Sequence, residues 1–330
     1  MKAFIKKIFI RSGVIRTLSS FSERVVILKY HSVLKEPKEV EHTIGTGIVH
    51  SLNTFDEQMA LISGKYTPVT MNDLVSFAKG EKKVPRRAVV VTFDDGFADN
   101  LEFAAPVLER YGIKAAFYIT VNNVENQSLP WFVRLRIAVF NTNRLEWQIP
   151  GIGITYPLHN EEQKYQVFIK ACRRCASLPT RKQQEFLENV DASLQTNYPK
   201  MENFMLNWDQ IKKLAGMGHI IGSHSMSHPN LAYLEQEDLI FELGESKKII
   251  EKQLKKKIDH FSYPNPALEP NWTEKTMQAA HETGYLTAVT STPGPFNLND
   301  NLHAIRRMWV PSDKDEFIWY LERTFSGSIL

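Results

Sequence analysis

The strongest constraint on this chain is a repeated alternation of short apolar runs with amphipathic stretches. Residues 24–30 (RVVILKY), 88–93 and 113–120 read as buried strands. Around them, residues 54–62, 71–78 and 100–111 carry apolar side chains at helical spacing. Asn72 is placed to cap the second of these helices and Gly112 to close the third. The alternation resumes at Trp208. Helices expected over 209–215, 238–256, 274–283 and 315–325 intervene between strands expected over 219–223, 261–263, 286–290 and 305–310. A helix after each strand returns the chain to the same end, so neighbouring strands run parallel. About seven such units predict an α/β chain folded as a (β/α) barrel, complete or distorted. Its reactive groups would gather at the C-terminal ends of the strands.

Residues 122–205 break the rhythm. They hold helical patterns at 131–140, 161–176 and 181–194 and a short hairpin signal at 151–156, so they read as a mainly helical insertion or lid. The catalytic domain is expected to span 25–330. Residues 1–24 are different: Lys2, Lys6, Lys7, Arg11 and Arg16 alternate with apolar residues at helical spacing. No apolar run there exceeds three residues, whereas a secretory signal needs about 7–15 and a membrane span roughly 20. The segment reads as a basic amphipathic helix, either resting on an anionic membrane surface or packed on the domain. The expected location is therefore cytoplasmic, peripheral on the inner membrane surface. A net charge of +3 over 330 residues is too mild to argue for nucleic acid. Two cysteines, Cys172 and Cys175, make no disulfide framework. Their CxxC spacing lies inside a helical stretch rather than at its start, which favours incidental buried thiols over redox chemistry.

The chemistry concentrates in four places. Thr92-Phe93-Asp94-Asp95-Gly96 ends a strand. Neighbouring strand residues face opposite ways, so two adjacent carboxylates serve one site only where the backbone turns, and Gly96 permits the turn. One carboxylate can then bind a metal while the other acts as a base. His224-Ser225-Met226-Ser227-His228 follows another strand. Two imidazoles and one carboxylate form a hydrolytic metal set with positions left for water and substrate. Tyr263-Pro264-Asn265-Pro266 is a rigid turn at a third strand end, able to aim the Asn265 N–H at a developing oxyanion. His31 follows the first strand at the same rim, and an imidazole there suits a general acid. Trp131, Tyr263 and Trp309 are aromatics that either stack on sugar faces or fill the core.

With TFDDG at 92–96, HSMSH at 224–228 and FSYPNP at 261–266, the chain resembles the polysaccharide deacetylase (NodB-homology) family, carbohydrate esterase family 4. LKYHSV at 28–33 and GYLTAVTSTPG at 284–294 extend the resemblance over most of the chain outside 122–205. The resemblance implies a distorted (β/α) barrel, Asp94 as catalytic base, and Asp95, His224 and His228 as ligands of a divalent ion. Zinc is the expected ion; cobalt, nickel, manganese and iron suit the same donors. It also implies an oxyanion contact from the Asn265 backbone and a substrate-binding turn at Tyr263, Pro264 and Asn265. A family branch with a Tyr-His element before TFDDG assigns the general acid to His31; Leu302-His303 offers His303 as the competitor. The arginine often found upstream of the FSYPNP turn is missing, and Arg306 or Arg307 is expected to orient Asp94 instead, with Arg307 preferred. The implied reaction is metal-dependent N-deacetylation of an amino sugar in a polysaccharide, oligosaccharide or lipid-linked glycan, with release of acetate. The alternatives are an O-acetyl esterase and an inactive carbohydrate-binding relative.

Overall fold

In chain order the strands are β1 (Val25–Tyr30), β2 (Ser32–Leu34), β3 (Val49–Ser51), β4 (Thr67–Pro68), β5 (Ala88–Phe93), β6 (Ala116–Ile119), β7 (Glu146–Gln148), β8 (Thr155–Pro157), β9 (Ile220–Ser223), β10 (His260–Ser262), β11 (Thr287–Val289) and β12 (Met308–Trp309). They belong to a computed structural model that describes residues 23–199, 201, 203–265 and 268–327. Eight form one sheet, in the order β11-β10-β9-β6-β5-β1-β12 with β4 beside β5. Every pairing in it is parallel. This is the distorted (β/α) barrel that the alternation predicts. The strand expected over 305–310 is cut to two residues because its segment serves two edges. Ile305 bridges to Val289 of β11, and Met308 pairs with Leu28 of β1.

The faces of β5 show how the sheet is filled. Val89, Val91 and Phe93 point outward, into a core shared with Phe55, Leu108, Ile211 and Leu239 of the surrounding helices. Ala88 and Val90 point inward, toward Ile27, Tyr118, Val289 and Ile305. The helix Met71–Ala78 closes the barrel at the N-terminal ends of the strands with Met71, Leu74 and Phe77. Burying each such side chain contributes roughly 1.5–3 kcal/mol. Thr70, not Asn72, caps this helix: its hydroxyl accepts from the Asp73 N–H, and the Asp73 carboxylate accepts from the Thr70 N–H. Asn72 instead accepts a hydrogen bond from His260 Nε2 at 2.8 Å. With one end plugged in this way, the open end is the one where the strands finish.

The helix expected over 100–111 divides into a π turn, Asn100–Ala104, and an α-helix, Ala105–Arg110. Pro106 has no N–H to give the Glu102 carbonyl, which disfavours a regular α-ladder there. Between β6 and the helix Trp208–Gly216 that leads into β9 lie the helices Val121–Asn126, Trp131–Asn141, Glu161–Ala176 and Thr180–Leu194, with β7 and β8 paired as an antiparallel hairpin. The hairpin is wider than the 151–156 signal suggests. Leu135, Val139, Phe168, Leu187 and Val190 give this segment a core of its own. Cys172 and Cys175 are free buried thiols in that core, and burial pushes both pKa values up, so neither supplies a thiolate. The basic segment expected over 1–24 lies, up to residue 22, outside the described residues. Among the described residues no helix is long and apolar enough to cross a membrane.

Candidate active site

Strand parity places the first carboxylate. Ala88, Val90 and Thr92 face the barrel interior, and Asp94, two residues on, keeps that direction at the open rim. Its N–H still reaches the Tyr30 carbonyl at 3.0 Å. Asp95 then takes φ +75° and Gly96 φ +87°. A left-handed backbone at a non-glycine residue costs about 1 kcal/mol or more, and here it turns the second carboxylate into the same space as the first.

Arg307 meets Asp94 with both arms. Nη1 donates to Oδ1 at 2.8 Å and Nη2 to Oδ2 at 2.6 Å. The guanidinium is fully enclosed and also donates to the Thr290 carbonyl, Ser262 Oγ and Thr92 Oγ1. Arg306 instead pairs with Asp300. Parity separates the two arginines: Met308 packs outward against the helices, so Arg307 points in. Burial alone would raise the Asp94 pKa, but the Arg307 charge and its hydrogen bonds hold it well below the usual carboxylate range.

The two histidines follow β9 in a loop gripped from outside. Glu242, buried on the helix Gln236–Leu254, accepts from the Met226 N–H at 2.8 Å, the Ser227 N–H at 3.0 Å and Ser227 Oγ at 2.6 Å. Ser225 and His228 both take positive φ, +67° and +59°, which folds the loop so that both imidazoles meet Asp95. His224 Nε2 and His228 Nε2 lie 3.4 and 3.5 Å from Asp95 Oδ1. His224 Nδ1 sits 2.7 Å from the Ser262 carbonyl. A carbonyl only accepts, so Nδ1 carries the proton and Nε2 keeps its lone pair. Ligand atoms of Asp95, His224 and His228 all lie within 4.8 Å of one another. Asp95 Oδ1 and His228 Nδ1 are buried without a hydrogen-bond partner. A buried carboxylate oxygen without a donor, between two imidazoles, is the arrangement a divalent cation satisfies. Burial lowers the His228 pKa to about 4 and keeps its ring neutral, as ligation requires.

His31, Asp95, His228 and Asn265 line one cavity of about 440 Å³, whose opposite wall is formed by Ile44, Ile48, Trp131, Phe132 and Phe168. That volume lies in the range of small-molecule sites. Tyr30 points outward onto Phe55 and Phe93, so its neighbour His31 points in. Burial lowers the His31 pKa to about 4, away from the neutral range where a free imidazole changes charge. Asn265 is exposed, and its N–H has no acceptor among the described residues. Tyr263 and Pro264 are buried; the Tyr263 hydroxyl donates to the His303 carbonyl at 3.0 Å. They shape the turn from beneath. Trp131 is almost wholly enclosed, its indole N–H donating to the His228 carbonyl at 2.9 Å, while Trp309 is half exposed. His303 bonds the Tyr285 carbonyl, packs on His281 and does not line the cavity.

The sequence profile of the polysaccharide deacetylase family matches residues 81–288, which span both the carboxylate pair and the histidine loop. The chain belongs to the polysaccharide deacetylase family. Its reaction class is therefore hydrolysis of acetyl groups on glycans. YxkH of Bacillus subtilis, provisionally named a polysaccharide deacetylase, is 22% identical over 288 residues, covering 87% of this chain and 71% of that one. Among solved structures, Streptococcus pyogenes deacetylase PplD in complex with acetate superposes with a TM-score of 0.62 at 17% identity, covering 92% of this chain and 99% of that one. A de-N-acetylase from Aggregatibacter actinomycetemcomitans gives 0.57 at 18% identity, over 88% and 96%. These likenesses carry the fold.

Two polar residues of this deacetylase site, Lys29 and Glu242, escaped the sequence reading. Lys29 sits in an otherwise apolar strand, in register with Thr92 on the inner face. Its ammonium donates to Ser291 Oγ at 3.1 Å, and burial, then the Arg307 charge, lowers its pKa to about 8. The signal was a lysine inside a buried run. Glu242 was hidden in a helix rich in surface charge, and its full burial is what marks it.

Proposed function

We propose that this chain is a metal-dependent N-deacetylase acting on an N-acetylated amino sugar within a glycan. The observation that carries the reading is the convergence of Asp95, His224 and His228 on one orphaned carboxylate oxygen, beside an aspartate clamped by arginine. Held by those three residues, a divalent cation, zinc by the donor set, supplies Lewis acidity toward the acetyl carbonyl and the attacking water. Asp94 accepts the water's proton. Arg307 holds that carboxylate in one orientation and keeps it ionised, so the base is ready without rearrangement. The water oxygen bonds to the acyl carbon, and the Asn265 N–H faces the oxygen that gains charge. His31 delivers a proton to the sugar nitrogen as the C–N bond breaks, leaving acetate and a free amine. Its ring is neutral at rest above about pH 4, so it must first receive a proton, and the water proton accepted by Asp94 balances the one delivered to nitrogen. With His31 as general acid, this reading assigns the chain to the branch with an N-terminal Tyr-His element. Residues 25–330 form the catalytic unit in this reading, with 122–205 as its insertion.

The test is acetate release from N-acetylglucosamine oligomers and from an O-acetylated glycan, with metal content measured in parallel. Asp94→Asn is expected to abolish release while binding as much metal as wild type. An active Asp94→Asn protein would remove the assigned base. Faster hydrolysis of the ester than of the amide would replace N-deacetylation by O-deacetylation.

A further inference from the structure

His31 is held in an unusual way. Its ring makes no hydrogen bond to another described residue; its surroundings are the wall of the cavity and, at longer range, the charges of Asp95, Asp94, Lys29 and Arg307. An imidazole that must deliver a proton to one atom needs a fixed direction, and here the direction comes from its backbone. Three consecutive residues are gripped by one dipeptide at the start of the π turn. Asn100 Nδ2 donates to the His31 carbonyl at 2.7 Å, Ser32 Oγ donates to Asp99 Oδ2 at 2.5 Å, and the Val33 N–H donates to Asp99 Oδ1 at 3.2 Å. Asn100 Nδ2 also donates to Asp99 Oδ1 at 2.8 Å and joins the two halves. Ser32, Asp99 and Asn100 are all buried. Buried carboxylates are costly unless well bonded, and burial pushes Asp99 up to about 7 despite three donors. A carboxyl placed at that cost between the base-bearing turn and the His31 segment calls for a purpose beyond joining β2 to the barrel.

We propose that Asp99 and Asn100 are positioning residues for the general acid: they fix the 31–33 backbone so that the His31 ring faces the leaving nitrogen. The same turn that carries Asp94 and Asp95 thus also sets the distance between the base and the acid. The proposal rests on the reading of His31 as general acid, and its test is built to separate the two.

The test exploits the leaving group. An amide nitrogen needs a proton to depart, whereas the 4-nitrophenolate of 4-nitrophenyl acetate leaves without one. Asp99→Ala is expected to lower kcat on N-acetylglucosamine oligomers by roughly 10- to 100-fold, with KM unchanged. On 4-nitrophenyl acetate it should stay within about two-fold of wild type, since positioned proton transfer contributes only to the first reaction. Asp99→Asn, which retains one acceptor for Val33, should recover most of the amide activity. If Asp99→Ala fails to fold, Ser32→Ala removes one of the gripping bonds and should show the same split on a smaller scale. Equal losses on both substrates, or none on either, would overturn the proposal. His31→Ala, assayed alongside, should show the split in full; equal losses there would instead overturn the assignment of His31. The His31 ring resonance provides a readout independent of any substrate. It should be single in wild type and broadened or doubled in Asp99→Ala, and an unchanged signal would count against the grip.

Discussion

Removing Arg307 should expose how far the Asp94 pair governs both stability and chemistry. Arg307→Met deletes two hydrogen bonds to Asp94 and the bonds to Thr290, Ser262 and Thr92, leaving a buried carboxylate without its counter-charge. Removing one partner of a buried pair typically costs about 3–5 kcal/mol. An unfolding entropy of about 2.1 cal/mol/K per residue over 330 residues gives roughly 0.7 kcal/mol/K, so the loss corresponds to a fall in Tm of about 4–7 °C. Asp94→Asn leaves the complementary defect, a buried guanidinium with no carboxylate. The double variant carries neither charge and should be more stable than the sum of the single losses implies, by about 1–3 kcal/mol. Thermal and urea unfolding of the four proteins measure this cycle. A loss under about 1 kcal/mol for Arg307→Met, or strict additivity, would refute the argument that the pair is a coupled buried unit.

Other expectations follow from the same geometry. Gly222→Ala should destabilise the barrel by about 1–3 kcal/mol, because a Cβ there would lie 2.5 Å from the Tyr118 ring and 2.8 Å from the His260 carbonyl; an unchanged Tm would show that the ring moves freely. The pKa values of His219 and His260, away from the metal ligands, are lowered to about 4 by burial. The unfolded chain then binds more protons between about pH 4 and 6.5, so stability should be lost as pH falls through that window. His260→Gln should flatten the slope, and an identical slope would contradict it. Asp99 has the opposite sign: its pKa is raised to about 7, so it weakens the fold as pH rises from about 4 to 7. The Tm gain of Asp99→Asn should therefore grow with pH over that range; a constant difference would contradict the raised pKa.

Periodicity recovered the parts of this chain whose local preference and tertiary role agree. The strand Ala88–Phe93 and the helix Glu161–Ala176 lie where their patterns put them, the first buried on both faces and the second amphipathic with an Asn160 cap. The misses are places where one residue serves something distant. Asn72 looks like a cap but is recruited by His260 across the barrel. The segment at 305–310 has strand composition but must bridge two edges. Arg306 and Arg307 are indistinguishable by composition; the register of Met308 against Leu28 decides which one faces Asp94. Asn100 reads as an ordinary helix start, because nothing local reveals that its partner, and those of Asp99 beside it, lie in the 31–33 segment.

The cavity has two kinds of wall. One carries His31, Asp95 and His228, each in a segment that follows a strand end, where a shift of register would disrupt the barrel. The facing surface of Trp131, Phe132 and Phe168 belongs to helices with a separate core, completed by the loop at 44–48. That layer also touches the histidine loop, since the Trp131 indole donates to the His228 carbonyl and Phe132 packs on the His228 ring. If this layer selects what enters, exchanging it between relatives would change glycan preference, and the Trp131–His228 contact would have to be kept for the chemistry to survive.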